Sequence, residues 1–395
     1  MGTLSKIDLD KLGHPSLDNI DELLSSLGND EPPSFASYRM DMGPVLEAAD
    51  RMKDAENIIV IGQGGSVNTF RGLLEGFGIS VCGERKFYIV DTVDPVYLRE
   101  VLDRTLPANS HVIAISKSGN TLTVIEALSL FSSYPATVVT EKGYGALGKL
   151  AREKGYHLVD VPGDVGGRFS GGTASTLLPA LVLGIDVNAY LDGLYEAYGS
   201  ARKDEGIRNI SGAFYLVERL GKRTIYIPVY SKMLASFRDL VNQLFHETLS
   251  KGRKGMTVLC FEGPECQHHT NQRVLDGPED VATLFVLVDG MPDLDMSWGD
   301  VSTEYRGIPL TDLGPYGFGK ALISEARGVM ASMEEIGAPY ASVTLRYEGE
   351  RTAGFFVGMM QYLAYYFARL RRVNPFDQPA VENAKELALE MRKGI

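Results

Sequence analysis

Short runs of β-branched and aromatic residues alternate with longer stretches of helical period along most of the chain. This alternation is typical of parallel β-sheets that are covered by helices on both faces. The predicted strands are 58–61, 87–90, 111–115, 137–140, 157–161, 224–229, 256–261, 283–288 and 341–347. They form two series of similar size and order, with helical patterns such as 121–131 and 232–250 between them. The pattern therefore predicts two doubly wound α/β units that arose by duplication.

The limits of these units follow from polar stretches and from a stop signal near the C-terminus. A polar stretch at 202–209 is the predicted join between the units, and Asn374-Pro375 separates two C-terminal helices at 352–371 and 378–392. The predicted divisions are an N-terminal helical and loop segment (1–45), a first domain (46–203), a second domain (204–350) and a C-terminal helical segment (351–395).

Charge and cysteine content narrow the classes of partner and compartment. The 395 residues include 39 Lys and Arg against 51 Asp and Glu, a net charge of −12, which disfavours binding to nucleic acid or to an anionic membrane. Three cysteines without metal-ligand spacing fit a reducing compartment, so we expect a cytosolic protein without a metal. The longest apolar run, 177–185, is far shorter than a membrane span, and acidic residues near the start disfavour a signal peptide.

Two turns that follow strands of the first series carry residues suited to binding an anion. Residues 62–66 read Gly-Gln-Gly-Gly-Ser, and residues 116–121 read Ser-Lys-Ser-Gly-Asn-Thr. Both turns run into a helical pattern, so backbone N–H groups and hydroxyls can point at one anion. An ordinary N-cap needs only one hydroxyl, so the three hydroxyls of the second turn favour an anion site there. The first turn could equally be a tight connection between a strand and a helix. We expect one phosphate site per chain, at the carboxyl edge of the first sheet.

The second turn resembles the phosphate-binding loop of the sugar-isomerase (SIS) domain, and further motifs resemble the glucose-6-phosphate isomerase (phosphoglucose isomerase) family. These motifs are Gly-Gly-Arg-Phe-Ser at 166–170, Gln-x-x-x-Glu at 243–247, Gln-His at 267–268, and Asn-Pro-Phe-Asp-Gln-Pro at 374–379 followed by Lys385. The resemblance implies two SIS-type, flavodoxin-like αβα domains with C-terminal helices. It also implies an aldose–ketose isomerase that interconverts glucose 6-phosphate and fructose 6-phosphate without a cofactor.

The resemblance assigns a role to each matched residue. Glu247 is the base that carries a proton between C1 and C2, and Arg168 is the cation beside the enediolate. His268 and Lys385 open the sugar ring, although His269 is a rival to its neighbour by residue type alone. The implied substrate-binding residues are Gly65, Ser66, Ser116, Lys117, Ser118, Thr121, Gln243 and Gln378. Because the histidine comes from the other subunit in relatives, we expect a homodimer with a shared active site.

Other functions remain open at this level. A bifunctional isomerase that also accepts mannose 6-phosphate would share the second turn and the mechanism. A non-catalytic sugar-phosphate regulator would need the turn but not Glu247, Arg168 or Lys385. The glycine spacing disfavours a dinucleotide-dependent oxidoreductase. The chain departs from the family at Asn120, at 248–250 and at Cys266, and these departures leave the range of substrates open.

Overall fold

A computed structural model describes residues 2–12, 20–142, 145–294, 299–313 and 317–394, so part of the predicted N-terminal segment lies outside the described residues. The strands are β1 (Leu4–Asp8), β2 (Asn57–Ile61), β3 (Lys86–Val90), β4 (Ser110–Ile115), β5 (Ala136–Thr140), β6 (His157–Asp160), β7 (Thr224–Tyr230), β8 (Thr257–Glu262), β9 (Val281–Asp289), β10 (Glu304–Tyr305), β11 (Ile308–Pro309) and β12 (Tyr340–Arg346). The α-helices are α1 (Ile20–Asn29), α2 (Ser34–Ser37), α3 (Met42–Asp50), α4 (Asn68–Val81), α5 (Pro95–Arg104), α6 (Leu122–Leu130), α7 (Gly145–Lys154), α8 (Ala174–Leu183), α9 (Val187–Lys203), α10 (Glu205–Arg219), α11 (Lys232–Ala235), α12 (Arg238–Leu249), α13 (Gly263–Cys266), α14 (Thr270–Asp276), α15 (Leu310–Leu313), α16 (Gly317–Glu335), α17 (Glu350–Leu370) and α18 (Pro379–Lys393).

The first sheet is parallel throughout and has the strand order β3-β2-β4-β5-β6. Its central strands β2, β4 and β5 are buried along their whole length, as expected where helices cover both faces. The strand order reverses between β2 and β4, which is the flavodoxin-like arrangement. Ligands of such sheets bind outside the carboxyl ends of the strands at this reversal. The predicted fold class is confirmed, and both anion-binding turns follow the two strands at the reversal.

The second sheet repeats this order in part, with β8-β7-β9-β12 in place of β3-β2-β4-β5. The fifth position is taken by β1, which pairs antiparallel with β12 and places Leu4 opposite Leu345 and Ile7 opposite Val343. The prediction of helix and loop for 1–45 is therefore wrong at β1. Its cause is physical: Leu4 and Ile7 are the two apolar residues of a short edge strand, too few to produce a recognisable alternation.

Helix α17, predicted as part of a C-terminal segment, lies in the middle of the protein. Every residue of α17 except Glu350, Arg351 and Arg369 is buried. It crosses α9 in backbone contact, because a Cβ atom on Gly354 would lie 1.9 Å from the backbone oxygen of Tyr190. Even so, no described helix combines the length and apolar character needed to cross a membrane. The end of α17 delivers the segment 371–378 to the first domain.

Candidate active site

The turns after β2 and β4 are joined to each other by side chains. Thr123, in the first turn of α6, donates from Oγ1 to Oε1 of Gln63 at 2.5 Å. The amide nitrogen of Gln63 in turn donates to the backbone oxygen of Asp91, which follows β3, at 2.7 Å. One network of hydrogen bonds therefore fixes the carboxyl ends of the three strands next to the reversal.

The turn after β4 leaves the N-terminus of α6 free to receive an anion. The hydroxyls of Ser116 and Thr121 lie 2.8 Å apart, and Gly119 adopts a positive φ of 63° that few other residues tolerate. Thr121 precedes α6 but makes no side-chain hydrogen bond to its first N–H groups, so it does not act as an N-cap. Lys117 is half-buried and pairs with no carboxylate among the described residues. These hydroxyls, N–H groups and the ammonium group are the donors that a phosphate needs.

The turn after β2 is in backbone contact with the Gly-Gly-Arg-Phe-Ser segment. A Cβ atom on Gly65 would lie 2.2 Å from the backbone nitrogen of Arg168 and 2.5 Å from the carbonyl carbon of Gly167. No larger residue fits there without moving the backbone. Ser170 donates from Oγ to the backbone oxygen of Gly65 at 3.2 Å and closes the contact. Gly65 is therefore required to bring Arg168 beside the anion-binding turns.

The guanidinium of Arg168 is the centre of the site. Its side chain is 3% exposed, and all three nitrogens donate hydrogen bonds. The acceptors are Thr248 Oγ1 (3.0 Å), Glu247 Oε2 (2.9 Å), Gln378 Oε1 (2.9 Å), the Pro375 backbone oxygen (2.6 Å) and the Asp377 backbone oxygen (3.2 Å). Burial lowers the pKa of Arg168 while the charge of Glu247 opposes that effect, and an arginine in such a place stays protonated. Arg168 thus connects the first sheet, α12 and the C-terminal segment.

Glu247 accepts hydrogen bonds on both carboxylate oxygens. Oε2 accepts from Arg168, and Oε1 accepts from the side-chain nitrogen of Gln243 at 2.8 Å. Gln243 and Glu247 share one face of α12 because they are four residues apart. Asn68, at the start of α4, donates from Nδ2 to the oxygen of Gln243 at 2.8 Å. The first and second domains therefore both hold this carboxylate in place.

A second ion pair fastens the C-terminal segment to the end of α12. Lys251 donates to both the backbone oxygen and the carboxylate of Asp377, the latter at 2.7 Å. The Lys251 ammonium lowers the pKa of Asp377. Sequence reasoning named neither residue, nor Asn68 or Thr248, as part of the site. Asp377 lies inside a matched motif, Thr248 and Lys251 follow the Gln-x-x-x-Glu motif within four residues, and Asn68 lies just after the first turn. Nearness to a motif was therefore the available signal.

His268 and Lys385 are not brought to Arg168 and Glu247 within one chain. His268 is exposed in the turn between α13 and α14, which follow β8 at the edge of the second sheet. Its neighbour His269 packs edge-on against Phe261, with ring centroids 6.2 Å apart. Lys385 is 66% exposed and pairs with Glu382 at 2.8 Å. Across the described part of the chain, no hydrogen bond or ion pair links either predicted residue to the guanidinium of Arg168 or to Glu247.

No metal centre accompanies these groups in the described ranges, where no set of three His, Cys, Asp or Glu side chains is placed to hold an ion. The arrangement offers instead a fixed carboxylate, a permanent cation in contact with it, and an anion-binding turn at the same edge of the sheet. Such a set can hold a phosphorylated ligand and exchange a proton with it.

The two doubly wound sheets, with the candidate site at the strand reversal of the first, define the sugar-isomerase fold class. The glucose-6-phosphate isomerase of Methanocaldococcus jannaschii is 27% identical over 360 residues, which cover 88% of this chain and 87% of that protein. The comparison confirms the resemblance to the glucose-6-phosphate isomerase family and, with it, the prediction of an isomerase.

Solved structures agree on the fold. A hypothetical protein from Thermus thermophilus superposes with a TM-score of 0.79 at 24% identity, covering 98% of this chain and 99% of that chain. A glucose-6-phosphate isomerase from Chlamydia trachomatis superposes with a TM-score of 0.73 at 18% identity, covering 94% of this chain and 77% of that chain. No protein-family model matches the chain.

Proposed function

We propose that the chain interconverts glucose 6-phosphate and fructose 6-phosphate through a cis-enediolate, as part of glycolysis and gluconeogenesis. The observation that supports this most is the contact of Arg168 with Glu247 at 2.9 Å, beside the open N-terminus of α6. An aldose–ketose isomerase needs a base and a cation at the same two carbons, and a phosphate site that fixes their position. The relatives named for this reaction cover nearly the whole chain.

The proton transfer follows from the geometry of Glu247. The carboxylate takes the proton from C2 of the open-chain aldose and returns it to C1, while a proton leaves O2 and reaches O1. Arg168 stabilises the negative charge on the enediolate oxygens because its guanidinium is fixed before the substrate binds. A carboxylate has about four acceptor positions. Two of those on Glu247 are occupied by Arg168 and Gln243, so the carboxylate is oriented and still able to accept a proton.

The remaining groups would bind the substrate. Ser116, Lys117, Ser118 and Thr121 would hold the phosphate, with Gly65 and Ser66 lining the adjacent turn. Gln243 and Gln378 would bind sugar hydroxyls, and their hydrogen bonds to Glu247 and Arg168 support this role. We expect no metal or organic cofactor. The three free cysteines are consistent with the reducing cytoplasm that we propose as the location of the protein.

The test of this function is a substrate comparison with the purified full chain in the presence of a metal chelator. We expect turnover of glucose 6-phosphate and fructose 6-phosphate, and a kcat/KM on mannose 6-phosphate lower by at least about tenfold. Comparable kcat/KM values on the two aldoses would replace our proposal with a bifunctional isomerase. Binding of the sugar phosphates without turnover would instead favour a regulator, and activity that a chelator removes would exclude the metal-free mechanism.

We further propose that the site is completed by His268 of a second copy. His268 is exposed, and in the described residues its own chain brings it to neither Glu247 nor Arg168. Helix α18 buries none of its described residues, and its apolar side chains Leu387 and Met391 are 52% and 71% exposed. An unpartnered apolar face of this kind suits contact with another chain. A symmetric dimer would then contain two shared sites.

Mixing two inactive variants tests the shared site. We expect Glu247→Gln and His268→Ala each to have low activity alone, whereas their co-expression should restore up to about a quarter of wild-type activity, because a random mixture contains hybrid dimers with one intact site. The control is co-expression of Glu247→Gln with Glu247→Gln bearing a second affinity tag, which should restore nothing. If the mixture of the two different variants also restores no activity, each His268 serves its own chain or none.

A further inference from the structure

A cavity of about 600 Å³ lies at the amino-terminal edge of the second sheet. Helices α10, α12 and α17 end around it, and strands β7 and β8 begin there. The cavity shares no lining residue with the candidate active site. Its charged lining residues are Glu218, Arg219, Arg223, Arg253, Lys254 and Arg371. A protein with a net charge of −12 thus concentrates five cations and one acid around a single cavity.

The surrounding structure does not neutralise these cations. Glu218 is engaged by Arg371, whose Nε lies 3.1 Å from the carboxylate. Among the described residues, Arg219, Arg223, Arg253 and Lys254 have no carboxylate partner. Helix carboxyl termini attract cations, but each is equivalent to only about half a negative charge. Three helix ends and one carboxylate therefore leave five cations with an excess of roughly two to three positive charges.

The cavity has a fixed frame rather than a set of freely moving side chains. The side chain of Arg371 is 8% exposed and that of Glu218 is 14% exposed. Arg371 also donates to the backbone oxygen of Leu249, the last residue of α12. Arg253 has a positive φ of 58° in a tight turn that is closed by two backbone hydrogen bonds between Lys251 and Lys254, both 3.1 Å. A buried cation thus forms one wall, and a closed turn holds two more cations at the rim.

We propose that this cavity binds a small anion that carries two phosphate groups. The excess of positive charge matches such a ligand, and the volume lies within the range of ordinary small-molecule sites. An extended polyanion fits less well, because the cations surround one cavity and the rest of the surface is acidic. This inference does not depend on the proposed isomerase activity, since no residue is shared with that site.

Calorimetric titration of the full chain with inorganic pyrophosphate tests the site. The double variant Arg253→Gln with Lys254→Gln removes two exposed cations at the rim. It should weaken pyrophosphate binding in the cavity by at least about tenfold, as expected for the loss of charge-assisted hydrogen bonds. The matched control is Arg51→Gln with Lys53→Gln, which removes the same charge from an exposed stretch elsewhere and should leave binding unchanged.

A second double variant distinguishes pyrophosphate binding in the cavity from binding at the candidate active site. Ser116→Ala with Thr121→Val should remove pyrophosphate binding at the turn after β4 and leave binding in the cavity intact. Inorganic phosphate should bind the cavity at least about tenfold more weakly than pyrophosphate, since it engages fewer cations. The proposal is overturned if Arg253→Gln with Lys254→Gln binds pyrophosphate as the wild type does, or if the Ser116 and Thr121 changes abolish all binding.

Discussion

Replacing Glu247 by glutamine is expected to lower kcat by about 10²- to 10⁴-fold, the usual contribution of a positioned general base. The amide has the shape of the carboxylate but cannot take the proton from C2. Binding of the sugar phosphate should persist, because the turn after β4 and the cations near it are unchanged. Steady-state kinetics in both directions would measure the loss, and incorporation of solvent deuterium at C2 should disappear with it.

Glu196→Gln provides the matched control for this change. Glu196 also accepts a short hydrogen bond from an arginine, at 2.6 Å from Arg351, and is similarly sheltered, with 22% of its side chain exposed against 29% for Glu247. Glu196 lies on α9, away from the anion-binding turns, so the kcat of Glu196→Gln should stay close to that of the wild type. If Glu247→Gln retains activity within a few fold of wild type, Glu247 is not the base.

Replacing Arg168 by leucine is expected to lower the free energy of unfolding by about 3–5 kcal/mol, the range observed when one partner of a buried ion pair is removed. The change leaves the carboxylate of Glu247 without its cation and three further acceptors, on Thr248, Pro375 and Gln378, without a donor. The backbone oxygen of Asp377 keeps its hydrogen bond from Lys251. Arg168→Lys should recover little, since an ammonium group cannot span acceptors that a planar guanidinium reaches in three directions. Denaturant unfolding of both variants would measure the effect.

Arg238→Leu is the control for the loss of an arginine ion pair. Arg238 pairs with Glu75 at 3.0 Å, but the two side chains are 41% and 36% exposed, so the pair should contribute only about 0–1 kcal/mol. Arg168→Leu should also make the segment 371–378 more sensitive to proteolysis, because the backbone oxygen of Pro375 loses its donor and that of Asp377 keeps only Lys251. Equal losses of stability in the two leucine variants would show that the network around Arg168 stabilises little.

Local pattern was enough to predict the sheets and the two turns. Every strand predicted from β-branched runs is present. The signal is strongest for β2, β4 and β5, which are buried along their whole length and therefore consist mainly of apolar and β-branched residues. The predicted helix at 232–250 is two helices, α11 and α12, which are separated at Ser236 and Phe237. Strand β1 was missed because it is short, with only two apolar residues among its five. The central position of α17 depends on glycine contacts with α9, which no periodicity within α17 reveals.

The candidate site likewise has residues that the local sequence reveals and pairings that depend on residues far apart in the chain. The turns, Arg168 and Glu247 stand in recognisable motifs, whereas the pairings of Asn68 with Gln243 and of Lys251 with Asp377 join residues 175 and 126 positions apart. Such pairings depend on tertiary packing and have no local signature. The roles of His268 and Lys385 rest on the resemblance to a family and stay predictions.

The pairing of β1 with β12 also affects the order in which the chain can fold. All strands of the first sheet come from one continuous stretch, 57–160, so that sheet can form while later residues are still being synthesised. The second sheet has to wait, because its edge strand β1 precedes the other described strands in the chain, whereas that strand's partner, Tyr340–Arg346, follows them. Until the two meet, β12 has an open edge that is able to pair with other chains. Strand β1 (Leu4–Asp8) thus closes the sheet late and at a high cost in chain entropy, because a long stretch of chain separates it from its partner.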